Sequence, residues 1–357
     1  MARRNREQTF WSEVLRKTEV NAIGDLHGAL KAYIGNYVSL ELLNQQGWSG
    51  GESVVVNLGD ILADRYADGI KILMFNSKIA SQAESAGGRV VTLAGNHDDF
   101  ALSYLLGIKA AGEVNPVDMC FEQDQGVGLK EFSIFTSSKG QDFPSSAYAR
   151  MAYMDRKREE ILKNLRTTEK GLDLLEQLYR FKLLEHIDDT LFLHTPPTPS
   201  IIQLFLERGI DELNSIFQQQ IKMGLGEDMK PTKEFYSIRN VFLHTDNRFT
   251  FDGKVRDWKN KDYLRAEMNK QIQASGITSK KMAEKLQESG INQIVYGHNS
   301  DGGSSEIFNG VRLTGIDYTG AFKTKNSKER SILRISRDGS TFVGVQQSNI
   351  SKVDTVV

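Results

Sequence analysis

Five of the six histidines in the chain, His27, His97, His194, His244 and His298, each lie just past a short apolar run. Oxygen ligands gather with them: Asp25 two residues before His27, Asn96 directly before His97, and Asp60 after the run 53–58. One histidine in such a place is more often a satisfied core or surface residue than a ligand. A set of carboxylate, carboxamide and imidazole groups collected after several strands is better explained by a metal. Without thiolates, the set suits Mn, Fe or Zn. Two ions about 3.5–4 Å apart need a shared carboxylate, and Asp60, alone after its strand, is the natural bridge. Gly24, Gly59, Gly95 and Gly297 stand beside these residues and let the backbone turn sharply and come close.

The elements that must position these groups alternate: strand 18–23, helix 28–46, strand 53–58, helix 67–86, strand 89–94 and helix 98–107. Alternation of this kind implies parallel strands with crossover helices, with ligands collecting beyond the carboxyl ends of the strands. Residues 108–185 break the pattern. Ile161, Leu165, Leu172, Leu175, Tyr179 and Leu183 fall at helical spacing among charges, which predicts an inserted helical cap or padding on the outside of the sheet. Strands are expected again at 190–193, at 240–243 and at 292–296, the first two ending in a repeated Phe-Leu-His-Thr. Short strands follow near 304–308, 311–316, 331–336 and 340–346, the last two joined by a hairpin turn at Arg337-Asp338-Gly339. The fold class is α/β with a mixed sheet and helices outside.

Bulk composition excludes several classes. With 357 residues, 39% apolar and 25% charged, the chain reads as an ordinary globular protein, and a net charge of −1 gives no basic stripe for nucleic acid. A single cysteine, Cys120, favours a reducing compartment, and no general base is evident beside it for a thiol nucleophile. The basic N-terminus lacks an apolar stretch, so no signal peptide is expected, and no run is long enough to span a membrane. A cytoplasmic location is therefore expected. No Gly-x-x-x-x-Gly-Lys-Ser/Thr loop is present, which argues against a P-loop NTPase. His186 lies in a helix-like segment beside acidic residues and is expected to be structural.

The ordered motifs Gly24-Asp25-Leu26-His27-Gly28, Gly59-Asp60 with Asp64-Arg65, Gly95-Asn96-His97-Asp98, a strand-end histidine and Gly297-His298 resemble those of calcineurin-like metallophosphoesterases, and among them the phosphoprotein phosphatase (PPP) group. The resemblance covers about residues 18–345. The insertion and the Pro-rich His194-Thr195-Pro196-Pro197 segment are also similar to bacterial effector phosphatases of the Wip type, which would place the protein in a host cytosol. The resemblance implies a metallophosphatase-type β-sandwich of mixed sheets flanked by helices. It would form one domain over 1–357, with its core at about 18–107 and 188–346, an inserted helical cap at 108–187 and a flexible tail at 347–357.

Position by position, the resemblance implies two divalent ions, Mn first and Fe or Zn as alternatives. Asp25, His27 and Asp60 would hold one; Asp60, Asn96, His194 and His298 would hold the other. His97 would protonate the leaving alkoxide, oriented by Asp64, while Arg65 would clamp a phosphate oxygen, with Asn96 also facing it. The nucleophile would be a metal-bridging hydroxide.

Three departures bear on this. The family spacing Gly-Asp-x-x-Asp-Arg-Gly gains one residue here and ends in Tyr66 instead of glycine, so Asp64-Arg65 also reads as a surface ion pair at a helix start. Of the two Phe-Leu-His-Thr histidines, His194 precedes a turn and apolar helix similar to the family's ligand segment. His244 lies where the family carries a second phosphate-binding arginine, making His244 a rim residue and Arg248 that arginine, with Arg239 as a rival. Finally, Gly297-His298-Asn299-Ser300 has one histidine, the PPP-like arrangement. The expected activity is hydrolysis of phosphoprotein, Ser/Thr ahead of Tyr. The alternatives are a symmetrical dinucleoside polyphosphate hydrolase and a metal-retaining binding module that acts through its cap.

Overall fold

Val20–Ile23 (β1) and Val54–Asn57 (β4) are buried at every position, as strands covered on both faces must be. The structure, a computed structural model, describes residues 18–62, 66–113, 115–116, 131–136, 147–227, 229–243, 249–254, 261–298, 305–316, 332–337 and 341–344. Between and after these strands run α1 (Leu30–Ser39), the hairpin β2 (Leu43–Asn44) and β3 (Gly47–Trp48), α2 (Gly69–Ser85), β5 (Arg89–Thr92) and α3 (Asn96–Leu106). A 3-10 turn at Phe132–Phe135 precedes α4 (Ala147–Thr167), α5 (Glu169–Tyr179), β6 (Leu184–Ile187) and β7 (Thr190–Leu193). Among the described residues, five helices come next: α6 (Pro199–Arg208), α7 (Ile210–Glu227), α8 (Lys233–Leu243), α9 (Lys261–Ser275) and α10 (Ser279–Glu288). The chain closes with β8 (Gln293–Tyr296), β9 (Ser305–Phe308), β10 (Val311–Gly315), β11 (Ile332–Ile335) and β12 (Thr341–Gly344).

Two five-stranded sheets result, ordered β12-β11-β1-β4-β5 and β6-β7-β8-β10-β9. In the first, β1, β4 and β5 are parallel and β11 and β12 antiparallel; in the second, β7, β8 and β10 are parallel and β6 and β9 antiparallel. Alternate residues settle the layering. Val20, Ala22, Val54, Val56, Val91, Leu93, Phe192 and Val295 form one apolar cluster drawn from both sheets. Ile23, Val55, Leu191, Leu193, Ile294 and Tyr296 join the larger cluster shared with the helices. The architecture is therefore the β-sandwich of mixed sheets flanked by helices, with the parallel strands central in the second sheet and running from the centre to the β5 edge in the first.

Several local expectations change. The expected strand 240–243 is the last turn of α8, in which Phe235, Ile238, Arg239, Phe242 and Leu243 are buried at helical spacing. Thr232 Oγ1 accepts from the Phe235 amide at the start of this helix. His186 lies in strand β6, not in a helix, and β6 occupies 184–187, inside the segment expected to belong to the insertion. Helix α1 stops at Ser39, and the β2–β3 hairpin takes up residues given to it from the sequence.

In the insertion, Ile161, Leu165 and Leu175 are buried as their spacing predicts, but Leu172 is exposed. The helix breaks at Thr168, whose side chain caps α5 by accepting from Gly171, and the break resets the phase so that Leu174 and Leu178 turn inward. Helix α5 packs against α2 and α7, so the described part of the insertion joins the outer helical layer. Cys120 and the tail 347–357 lie outside the described residues.

Candidate metal centre

The carboxyl ends of β1, β4, β5, β7 and β8 open onto one point. Asp25 and His27 follow β1, Asp60 follows β4, Asn96 and His97 begin α3 after β5, His194 follows β7 and His298 follows β8. Ligand atoms of Asp25, His27 and Asp60 lie within 4.8 Å of one another, and so do those of Asp60, His194 and His298. Asp60 is common to both groups. Asp25, His27, Asp60, Asn96 and His194 are buried, while His97 and His298 are half-buried.

The hydrogen bonds of His194 show what the centre is built to hold. Its Nδ1 lies 2.7 Å from the Leu58 carbonyl, which can only accept, so Nδ1 carries the proton. Nε2 then turns a lone pair toward Asn96 Oδ1 at 3.2 Å and Asp60 Oδ1 at 3.4 Å. Burial lowers the His194 pKa against the pull of Asp60, which keeps the ring neutral. Three acceptor atoms converging without a proton repel one another unless a cation lies among them, and a neutral imidazole with its second nitrogen tied to a carbonyl is a metal-ligand arrangement. The donor set therefore fits a divalent ion.

The turns are tied to one another. His27 donates its amide to the Asp60 carbonyl at 2.6 Å, His97 donates its amide to Asp60 Oδ1 at 2.9 Å, and His298 donates its amide to the Asp25 carboxylate at 3.1 Å. A Cβ on Gly297 would collide with Asp25 Oδ1.

Two residues that sequence reasoning left without a role do much of the tying. Asp98, fully buried, accepts from the amides of Gly95 at 2.8 Å, Ile61 at 2.9 Å and Leu62 at 2.7 Å, and so joins the Asp60 turn to the Asn96 turn. Burial and then the Asp60 charge push its carboxyl up to about 7, against the pull of these three amides. Asp99, next in the chain, pairs with Arg239 at 3.2 Å and accepts from the Ala111 amide. An acidic pair in the first turn of a helix, with the first Asp at the capping-box position, was the available signal.

Arg239, the rival for a second phosphate-binding arginine, is excluded from that role. It is 1% exposed, donates to Asp99, Ser103 Oγ and the Lys109 carbonyl, and stacks on Phe235 and Tyr236. Asp64, Arg65, His244 and Arg248 lie outside the described residues. The two Phe-Leu-His-Thr segments nevertheless meet, because Thr195 Oγ1 donates to the Phe242 carbonyl at 3.0 Å, so α8 ends beside the residue directly after His194.

The family model for the calcineurin-like phosphoesterase matches residues 19–223, more than half of the chain, and the chain belongs to that family. Over 78 residues it is 42% identical to Shewanella-like protein phosphatase 2 of Arabidopsis thaliana, a match that spans 22% of this chain and 20% of that protein. The crystal structure of a cold-active protein-tyrosine phosphatase from a psychrophilic Shewanella superposes with a TM-score of 0.51 at 17% identity, covering 92% of this chain and 80% of that one, a likeness of fold. The phosphatase domain of the Legionella effector WipB also matches, at 15% identity and a TM-score of 0.34 over 59% of this chain and 83% of that domain, too remote to bear on function. Among the described residues, no helix is long and apolar enough to cross a membrane.

Proposed function

We propose that the protein is a dimetal phosphomonoesterase of the PPP type acting on phosphoprotein, Ser/Thr ahead of Tyr. The observation that carries this reading is the sharing of Asp60 between two ligand groups at the ends of parallel strands. Asp25, His27 and Asp60 would hold one ion and Asp60, Asn96, His194 and His298 the other, with Mn the expected metal. When bound, such ions polarise a phosphoryl oxygen and lower the pKa of water to near neutrality.

The chain's own groups supply the rest. His97 is fixed through its amide to Asp60, lies edge-on to the His27 ring at 5.9 Å and to Phe100 at 5.3 Å, and is half-buried. Its attachment to Asp60 and its partial exposure support the role of a general acid that meets the leaving oxygen. Asp64 is assigned to orient His97, Arg65 and Arg248 to bind phosphate oxygens, and His244 to the rim, on the family resemblance. The protein-phosphatase name of the Arabidopsis protein supports phosphoprotein as the substrate class. A single domain, with its insertion running from residue 108 to the start of β6, and a cytoplasmic site of action complete the proposal.

The test is turnover with Mn²⁺ of para-nitrophenyl phosphate, of matched phosphoserine, phosphothreonine and phosphotyrosine peptides, and of a diadenosine polyphosphate. Release of phosphate from the peptides supports the reading. Hydrolysis of the dinucleotide alone would replace it with the nucleotide hydrolase, and two bound ions without turnover of any substrate would favour a binding module.

A further inference from the structure

We propose that Glu131, a residue of the insertion, is a positioning residue for the metal centre: its buried carboxylate clamps the first turn of α2 and, through it, the Asp60 turn. The inference rests on the assignment of that centre as a metal site.

Helix α2 is 17 residues long and begins shortly after Asp60, yet its own sequence does not cap it. The N-cap residue Asp68 makes no side-chain cap and turns to Lys71 Nζ at 2.6 Å, and the first turn contains no acidic residue. The missing acceptor comes from 61 positions away: Glu131 Oε1 receives the Ile70 amide at 3.1 Å. The carboxylate thus sits at the positive end of the helix dipole and satisfies one of the orphan amides there.

Burial separates this contact from an ordinary surface cap. Glu131 is 3% exposed, and a carboxylate is withdrawn from water at a cost that only well-formed partners offset. The 3-10 turn directly after it sets its place. Phe132 and Phe135 are buried in the main core, and Asn164 Nδ2 donates to the Phe135 carbonyl at 2.7 Å.

Gly69 carries the contact on to the site. A Cβ there would collide with both Glu131 Oε1 and the Ile61 carbonyl, so the start of α2 lies tight against Glu131 and against the neighbour of Asp60. On the same turn, Asp98 takes the Ile61 and Leu62 amides. The Asp60 turn is therefore held directly by the Asp98 carboxylate from α3, and the start of α2 that lies against it is held by the Glu131 carboxylate from the insertion. Residues that support metal ligands in this way commonly affect affinity for the ion by roughly 10–100-fold.

The experiment compares the full-length wild type with Glu131→Ala and Glu131→Gln, reading amide hydrogen exchange over residues 61–72 and Mn²⁺ affinity by competition with a chelator. Glu131→Ala should speed exchange in that segment roughly tenfold and weaken Mn²⁺ binding roughly tenfold. Glu131→Gln keeps an oxygen for the Ile70 amide and should stay close to wild type in both. If Glu131→Ala does not fold, Glu131→Asp, which keeps the charge but draws the carboxylate back from the Ile70 amide by one methylene, should give the same pattern in milder form. Unchanged exchange in Glu131→Ala overturns the proposal, and so does faster exchange with unaltered Mn²⁺ affinity, which would make Glu131 a helix cap only. A wild type that binds no Mn²⁺ would instead refute the metal centre itself, a result visible before any variant is compared.

Discussion

Gly95→Ala is the smallest change that should empty the metal centre. Gly95 sits between the Asp60 turn and His194, with ordinary backbone angles of φ −100° and ψ 179°, so alanine is not excluded by local conformation. The obstacle is space. An added Cβ would lie 2.8 Å from His194 Cε1 and nearer still to Asp60 Oδ1 and the Asp60 amide, whereas ordinary van der Waals contact begins near 3.4 Å. His194 would have to yield about 0.6 Å, and Asp60 more, while metal–ligand distances tolerate only about ±0.2 Å. Overpacking of this kind costs about 1–3 kcal/mol, which a domain of ordinary stability survives. The expected result is a folded protein that loses at least one ion on gel filtration and loses roughly 10²-fold or more in turnover. Metal content by plasma mass spectrometry, with kcat on para-nitrophenyl phosphate, measures both. Gly226→Ala in α7 is the control, since its Cβ would meet only the Tyr179 hydroxyl at 3.3 Å, and it should keep both ions. A Gly95→Ala protein with two ions and wild-type turnover would refute the close packing of these turns.

Three further outcomes are expected. His97→Asn should lower turnover of alkyl phosphate substrates by roughly 10²–10⁴-fold with metal content intact, and by less on para-nitrophenyl phosphate, whose leaving group needs little protonation; equal losses on both would mark His97 as structural. His194→Ala should release an ion, whereas His244→Ala should keep two and raise KM with little change in kcat; metal analysis of both variants reverses the assignment if the losses are exchanged. Arg239→Ala should destabilise the fold by about 3–5 kcal/mol, because it leaves Asp99 buried without its cation, and the double replacement Asp99→Asn with Arg239→Met should recover much of that loss in denaturant titrations.

The legible and the hidden parts of the sequence divide along physical lines. β1, β4, β7 and β8 are legible because fully buried strands are short, mostly apolar runs, and β5, an edge strand buried only at Val91, is legible from its β-branched residues; the polar groups that must leave a parallel sheet at its carboxyl end stand just after all five. The second Phe-Leu-His-Thr was misread as a strand because four apolar-edged residues look alike in either state. The deciding signal lay upstream, in Phe235 and Ile238 at helical spacing behind Thr232. Leu172 was misplaced because one helical register was carried through the break at Thr168. The capping-box position of Asp98 is readable from its spacing to Gly95, but its clamp on the Asp60 turn and the contact of Glu131 are not, because those partners are backbone amides 36 to 61 positions away and no spacing along the chain encodes an amide that a fold brings near.

Backbone strain shows where that hidden support is needed. Of the non-glycine residues in the left-handed region, three are ligand candidates: His27 at φ 48°, Asp60 at φ 52° and His298 at φ 65°. Such conformations cost of order 1–3 kcal/mol each, and glycine would adopt them freely. Glycine does flank each of them, in Gly28, Gly59 and Gly297, but it cannot stand at the ligand position itself because the side chain is what the site requires. The strain must therefore be held by contacts outside the strained residue. The structure supplies these as the His27 amide on the Asp60 carbonyl, the His298 amide on the Asp25 carboxylate, and the Asp98 clamp on the Asp60 turn. A bound cation would add its attraction to the same three turns. The sharp turns that aim five strand ends at one point are thus stable only as a set, which is why a change that frees one of them, at Gly95 or at Glu131, should be felt first in metal binding and only weakly in the fold.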